Sequence, residues 1–156
     1  MLDDVGLMQA ALAEARRAGA RGEVPVGAVV AVDGRIVGRA GNANVRRCDP
    51  TGHAEVRALR RAARKLGRQR LPEVTVAVTL EPCLMCMGAM VHARVGRLVF
   101  GAIDPKTGAA ESLYRIGADR RLNHRFPCDG GILADECGML LRTFFARRRT
   151  TARSQR

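Results

Sequence analysis

Aromatic side chains are scarce in this sequence. It contains no Trp, one Tyr (Tyr114) and four Phe, together 3% of its 156 residues. Proteins that hold single-stranded nucleic acid by stacking successive bases on aromatic rings need several such platforms. Any base recognition by this chain must therefore rely little on aromatic stacking.

We expect this chain to have no disulfide framework, no membrane span and no secretory leader. Its five cysteines are an odd number spread along the sequence, unlike the cysteines of a disulfide-stapled secreted domain. No segment approaches the roughly 20 consecutive apolar residues of a transmembrane helix. The start, Met1 to Asp4, has no basic region ahead of an apolar one. We therefore expect reduced thiols, no membrane insertion and a cytoplasmic location.

Acidic residues are fewer than basic residues in this sequence. The sequence has 15 Asp and Glu against 27 Lys and Arg, a formal net charge of +12. A small domain this basic is typical of proteins with phosphate-rich partners, which favours nucleic acid over a small neutral substrate. A coding bias toward Arg and Ala would raise the charge without any ligand. The net charge alone leaves both explanations open.

Hydrophobic periodicity predicts an α/β domain in which helices alternate with strands around one sheet. The length predicts one domain, residues 1–146, followed by a basic and flexible C-terminal tail, residues 147–156. The predicted elements are a helix over 5–18, strands over 24–32 and 35–38 joined by the turn Asp33-Gly34, a helix from about His53 to Gly67, a strand over 73–80, a helix after Pro82, a strand over 97–100, a long polar connection over 101–127 and a closing helix over 132–146.

Two short segments carry the residues of a catalytic metal site. His53-Ala54-Glu55 supplies an imidazole and a carboxylate, and the Cys-x-x-Cys that follows Pro82 supplies the thiols of Cys83 and Cys86. A structural zinc site is closed by four protein ligands, whereas a catalytic one has three and leaves a position for water. Glu55 stands two residues from the histidine and need not bind the metal, so it is free to move protons. The pattern predicts a zinc-dependent hydrolase.

Other interpretations of the two thiols remain open at this point. A lone Cys-x-x-Cys also serves redox chemistry or forms half of a structural zinc site. A redox pair needs no upstream His-x-Glu, and a closed zinc site needs a fourth ligand. The candidates for that ligand are Cys48, Cys128, Cys137, His92 and His124. Cys137 falls in an apolar helical stripe, which predicts a core position instead.

The two segments together resemble the signature of the zinc deaminases that act on nucleobases, His-x-Glu with Pro-Cys-x-x-Cys. Along nearly its whole length the chain is similar to the bacterial tRNA adenosine deaminase family. The similar segments include 23–29, Asn42, 49–51, 78–83, 88–90, 99–101, 106–110, 123–125 and 131–137. The resemblance implies a three-layer α/β/α, cytidine-deaminase-like domain with one central mixed sheet. It also implies a homodimer with one zinc ion per subunit.

The activity implied by the resemblance is hydrolytic deamination of adenosine to inosine at the wobble position of a tRNA anticodon, by a zinc-bound hydroxide. His53, Cys83 and Cys86 match the family's metal ligands, and Glu55 matches its proton shuttle. Asn42 matches a base-contacting residue, whose amide can donate and accept at once. Asp104 matches a contact to the sugar-phosphate region. The expected pocket also includes Val26, Leu80, the backbone around Ala54, and Lys106.

Two rival functions remain. Deaminases of a free base or nucleoside, such as guanine, cytosine or cytidine, share the metal site but need no basic surface. A zinc-stabilised RNA-binding module without activity would share the charge. The presence of Glu55 in the His-x-Glu segment argues against the inactive module.

Overall fold

The computed structural model describes all 156 residues, which form one five-stranded sheet with helices on both faces. The elements in chain order are α1 (Asp4–Ala20), β1 (Gly27–Val32), β2 (Arg35–Gly41), α2 (Ala54–Leu66), β3 (Val74–Leu80), α3 (Leu84–Ala93), β4 (Arg97–Ala102), β5 (Cys128–Asp129) and α4 (Ala134–Ser154), with a short 3-10 turn at Ile116–Ala118. The predicted α/β class is confirmed.

The sheet is mixed, in the order β2-β1-β3-β4-β5. β1 pairs antiparallel with both β2 and β3, whereas β3, β4 and β5 run parallel. The β1–β2 hairpin turns at Asp33 and Gly34, whose φ angles of 48° and 73° are both positive. Two consecutive positive φ angles make the type I′ turn that matches strand twist, and Asp-Gly is a favoured pair for it.

The sheet is buried on both faces, which is why its central strands are mostly apolar. Along β1, Val29 and Ala31 pack with residues of α1 such as Leu12, whereas Ala28 and Val30 belong to the cluster that includes α2 and α3. Side chains of a strand alternate between the two faces of its sheet, so each face receives every second residue. Cys137 of α4 joins the α1 side. The predicted three-layer arrangement is confirmed.

The structure corrects the predicted end of the closing helix. The helix begins at Ala134 and continues to Ser154, so residues 147–154, predicted as part of a tail, extend it by two turns. Ala and Arg have high helix propensity, and no Gly or Pro interrupts this segment. Two smaller elements, β5 and the 3-10 turn, lie where the sequence predicted connection only.

Two further features bear on the site. Met87 and Met90 are fully buried in the core of the chain. None of the helices has the length together with the apolar character that crossing a membrane requires.

Candidate metal centre and catalytic pocket

Two helix N-termini place the three predicted metal ligands side by side. His53 is the N-cap residue of α2, and Cys83 is the N-cap residue of α3, with Cys86 in the first turn after it. The Nδ1 atom of His53 lies 3.6 Å from the Sγ of Cys83 and 3.5 Å from the Sγ of Cys86. All three donor atoms lie within 4.8 Å of one another.

This spacing fits zinc. Tetrahedral coordination with Zn–S of about 2.3 Å and Zn–N of about 2.0–2.1 Å places sulfur and nitrogen about 3.6 Å apart. No other residue supplies a fourth ligand, since the cluster contains only His53, Cys83 and Cys86. Of the remaining cysteines, Cys48 is exposed, Cys128 is half-buried beside Phe126, and Cys137 packs on the other face of the sheet. Three ligands of this type are the set of a catalytic site, with one position left for water.

The charge state of the two thiols also favours a cation. A hydrogen bond from Cys86, with further help from His53, lowers the pKa of Cys83 to about 4, which makes it a thiolate at neutral pH. The same hydrogen bond and burial raise the pKa of Cys86. Two thiolates this close in a partly buried site repel each other, and a divalent cation between them removes that cost.

Glu55 lies beside these three residues, at the same cavity. It lies in the first turn of α2, two residues from His53, and it is 4% exposed while lining the same cavity as His53 and Cys83. Burial raises the pKa of the Glu55 carboxyl above its ordinary value. A raised pKa lies closer to the working pH, which favours a carboxyl group that both takes and returns a proton, as a general acid–base requires.

The three candidate metal ligands, His53, Cys83 and Cys86, lie at a cavity of about 460 Å³. The predicted residues Val26, Asn42, Leu80, Asp104 and Lys106 all line it, together with His53, Glu55 and Cys83. Ala54 and Cys86 do not line it, because both side chains are fully buried behind the wall. The sequence did not predict a further set of lining residues: Val24, Asn44, Glu81, Ile103, Thr107, Leu141 and Phe145.

Asn42 connects the pocket wall to the start of α2, where His53 and Glu55 lie. Its Oδ1 accepts a hydrogen bond of 2.8 Å from the backbone N–H of Ala54, between His53 and Glu55. The oxygen is therefore engaged inside the protein, and the Nδ2 amide group is the part left for a substrate. The contact of Asn42 with a base stays a prediction, and in this geometry its Nδ2 group is the donor without a partner in the protein. Ala54 therefore contributes its backbone N–H, which donates to Asn42, and its side chain is not part of the pocket wall.

Glu81 organises the loop on the opposite side of the cavity. This carboxylate is 2% exposed and accepts hydrogen bonds from the backbone N–H groups of Asp104, Ala110, Glu111 and Ser112 at 2.8–3.1 Å, and from the Ser112 hydroxyl. These bonds hold the pKa of Glu81 below its ordinary value. The available sequence signal was a carboxylate between the end of a buried strand and Pro82.

Asp104 shapes its own part of that loop. Its Oδ1 accepts hydrogen bonds from the backbone N–H groups of Lys106 and Thr107, and its Oδ2 accepts one from the Thr107 hydroxyl at 2.7 Å. This Asx-type turn directs residues 104–107 toward the cavity mouth. The Lys106 side chain is exposed there.

The closing helix covers one side of the cavity mouth. Leu141 and Phe145, one turn apart on α4, line the pocket, and Phe145 is 40% exposed. The apolar stripe predicted for this helix from its periodicity includes Leu141 but not Phe145. The position of Phe145 four residues after Leu141, on the same side of the helix, was the available signal.

Comparison with known proteins agrees with this geometry. Residues 2–149 match the family model of the MafB19-like deaminases. The chain is 48% identical over 147 residues to the tRNA-specific adenosine deaminase of Haemophilus influenzae, covering 94% of this chain and 85% of that one. A solved structure from a study of A-to-I editing by tRNA:A34 deaminases at the wobble position of transfer RNA superposes with a TM-score of 0.83. It is 44% identical, with 86% of this chain and 98% of that chain covered.

A guanine deaminase from Nitrosomonas europaea has a similar fold, with a TM-score of 0.81 at 24% identity over 94% of this chain and 86% of its own. That level of identity supports the fold alone. The relatives at 40–48% identity support more than the fold, because they confirm the family that the sequence resembles. This chain belongs to the MafB19-like deaminases and, within them, to the tRNA-specific adenosine deaminase family.

Proposed function

We propose that this protein hydrolyses the 6-amino group of adenosine at the wobble position of a tRNA anticodon, giving inosine and ammonia. The observation that carries the proposal is the cluster of His53, Cys83, Cys86 and Glu55 at one cavity, in a chain of this family. The cavity volume of about 460 Å³ falls within the range of ordinary small-molecule pockets, which suits one flipped nucleoside.

The metal would be one zinc ion per subunit, held by His53, Cys83 and Cys86. When bound, zinc would lower the pKa of a coordinated water toward about 7 and so supply hydroxide at neutral pH. The protein's own contribution is proton transfer by Glu55. Its buried carboxylate would take one proton of the attacking water and deliver it to a ring nitrogen of the base. It would then move the second proton, from the new hydroxyl group on C6, to the amine, which leaves as ammonia when the C6–N bond breaks.

The remaining pocket residues orient the base. Asn42 offers its Nδ2 amide group to an acceptor on the purine, because its oxygen is held by Ala54. Val26 and Leu80 supply apolar walls, while Asp104 and Lys106 lie at the mouth, where the ribose and its phosphates would pass. Glu81 accepts hydrogen bonds from the backbone of the loop at that mouth and so holds the loop in place. A base held in this way reaches the metal centre only when it is turned out of the anticodon loop.

The partner and the setting follow from charge and cysteine chemistry. The +12 net charge supports a polyanionic substrate such as the tRNA anticodon stem-loop. The five free cysteines support a reducing compartment, the cytoplasm.

We also propose a homodimer that uses α2 and α3. A shallow apolar groove, defined by Val56, Leu59, Ala63, Leu71, Ala89 and His92, lies between these helices. Leu84 and Met85 on the same helix α3 are 49% and 36% exposed. Apolar surface of this kind on a chain this size supports an interface with a second copy.

The experiment that tests the proposed activity compares substrates. The purified zinc-loaded protein is incubated with an anticodon stem-loop that carries a wobble adenosine and, in parallel, with free adenosine, guanine and cytidine. Deaminated products are measured by mass spectrometry. We expect inosine from the stem-loop and no product from the free compounds. Product from a free base alone would keep the metal chemistry and contradict the RNA substrate, and no product at all would favour a binding module.

A further inference from the structure

A second cavity, separate from the catalytic pocket, is lined almost entirely by arginines. This arginine cleft of about 320 Å³ lies between α1, α2 and the segment that follows β2. The side chains that line it are Arg21, Arg46, Arg47, Arg57, Arg61 and Glu14. Five guanidinium groups face one carboxylate in a concave space.

We propose that the arginine cleft binds phosphates of the RNA backbone next to the nucleotide that enters the catalytic pocket. This inference rests on the proposed activity toward RNA and extends its binding surface beyond the residues around the metal. Arginine suits the role because its planar fork of N–H donors matches the oxygens of a phosphate.

The positive charge of the cleft is only partly balanced by the protein, because five arginines line it with one carboxylate, Glu14. Glu14 accepts a hydrogen bond of 2.6 Å from Arg17 and lies 3.6 Å from Arg39, so arginines outside the cleft already pair with it. Glu23, the nearby buried carboxylate, accepts hydrogen bonds from the backbone N–H groups of Val45 and Arg46. The cleft therefore keeps an excess of positive charge that a bound polyanion would balance.

The cleft is also preorganised by backbone contacts. Arg57 donates to the carbonyl oxygen of Gly41, and Arg61 donates to that of Arg39 at 2.6 Å. A carbonyl oxygen orients a guanidinium group without cancelling its charge. Burial and the repulsion from Arg61, Arg47 and Arg21 lower the pKa of Arg57. Arginines crowded in this way are expected to gain from an anion between them.

The position of the cleft points to RNA and not to an unrelated anion. The segment after β2 forms a wall shared by the two cavities. Asn42 and Asn44 line the catalytic pocket, whereas Ala43, Arg46 and Arg47 line the cleft. A nucleotide held at Asn42 has phosphates on both sides, so the strand that leaves the catalytic pocket can pass over this wall.

The test removes two charges from the exposed part of the cleft. Arg46→Gln/Arg47→Gln is suitable because neither side chain forms a hydrogen bond in the protein. The matched control, Arg35→Gln/Arg70→Gln, removes two exposed arginines at the opposite end of the sheet. Arg35 pairs with Val32, and Val32 pairs with Val74 at the start of β3, shortly after Arg70 in the sequence. Arg57→Gln/Arg61→Gln is a second test within the cleft.

The measurement is the dissociation constant of the anticodon stem-loop across a series of salt concentrations. Each lost phosphate contact lowers the slope of log K against log salt by about 0.7–0.9, so we expect a decrease of about 1.5 for Arg46→Gln/Arg47→Gln. The affinity at low salt should fall about tenfold or more. The control should keep the wild-type slope, and inosine formation at saturating RNA should be unchanged in both variants.

Equal slopes for the cleft variant and the control would overturn the proposal while wild-type inosine formation still supported the activity. Failure of the wild-type protein to form inosine would contradict the activity itself, and the two failures are therefore distinguishable. Titration with inorganic pyrophosphate tests the other source of phosphate. One-to-one pyrophosphate binding that competes with RNA and is lost in Arg46→Gln/Arg47→Gln would assign the cleft to a free phosphate ligand and overturn the RNA assignment.

Discussion

Several single side chains at this site perform two tasks, and Asn42 is the clearest example. Its oxygen holds the backbone N–H of Ala54, which fixes the start of α2 and thereby the positions of His53 and Glu55. The same side chain lines the catalytic cavity. A substitution can separate the two tasks because aspartate retains an acceptor and loses the donor.

We predict different results for two substitutions of Asn42. Asn42→Asp should keep the hydrogen bond from Ala54 and the zinc content, but it should lose most of its activity because an oxygen replaces the donor. Asn42→Ala leaves a buried N–H without a partner, which costs about 1–3 kcal/mol of unfolding free energy in addition. Chemical denaturation, metal analysis and inosine formation separate the cases. Full activity in Asn42→Asp would contradict the role of the amide as a donor.

Glu55 carries the proton-transfer assignment. We predict that Glu55→Ala retains zinc and the affinity for the stem-loop, while the turnover rate falls by at least about 10²–10⁴, the usual contribution of a general acid–base. Glu136→Gln, an exposed carboxylate on α4, is the control and should have wild-type activity. A rate close to that of the wild type in Glu55→Ala would mean that another group moves the proton.

Among the structural elements, the loop of residues 103–112 depends on one carboxylate. Four backbone N–H groups and one hydroxyl converge on Glu81 at the end of β3. A Cβ on Gly108 would clash with that carboxylate, so this position requires glycine. The loop carries Asp104 and Lys106, and its shape therefore sets the mouth of the pocket.

We predict that Glu81→Gln loosens this loop without removing the metal. The amide nitrogen of glutamine would face N–H donors, so part of the hydrogen-bond set is lost. Hydrogen exchange at the amides of Ala110, Glu111 and Ser112 should become faster, and the KM for the stem-loop should rise while the zinc content stays constant. Glu111→Gln, with an exposed side chain, is the control. Unchanged exchange in Glu81→Gln would show that other contacts hold the loop.

The order of the main elements could be predicted from sequence because their signals are local. The Asp33-Gly34 turn, the β-branched run of β3 and Pro82 before α3 each mark a boundary. The metal cluster followed from residue types and from the resemblance. In contrast, β5 has two residues and owes its strand to pairing with β4, which no local pattern indicates.

Contacts between distant residues were beyond prediction. The internal bond of Asn42 to Ala54 and the approach of Phe145 to the cavity depend on how α2 and α4 dock on the sheet. The extension of α4 to Ser154 was missed for a different reason. A run of arginines was interpreted by its charge, although its helix propensity is high.

For the whole molecule, the distribution of apolar surface leads to a prediction about assembly. Ala89 lies in the apolar groove between α2 and α3. We predict that the native protein has twice the mass of one chain in analytical ultracentrifugation. Ala89→Glu should shift it to a monomer with unchanged zinc content, because a charge buried at an apolar interface is costly. Met139→Glu, at an exposed position on α4, should remain a dimer. A wild-type monomer at high concentration would contradict the proposed interface.

The proposed activity requires that the protein selects one adenosine by its place in a folded RNA. The most direct measurement compares anticodon stem-loops that each carry a single adenosine, at the wobble position or at one of its two neighbours. Inosine is quantified by mass spectrometry after incubation with the zinc-loaded protein. We predict inosine at the wobble position and none at the neighbouring positions. Equal conversion at all three positions, or no conversion at any of them, would contradict the central claim.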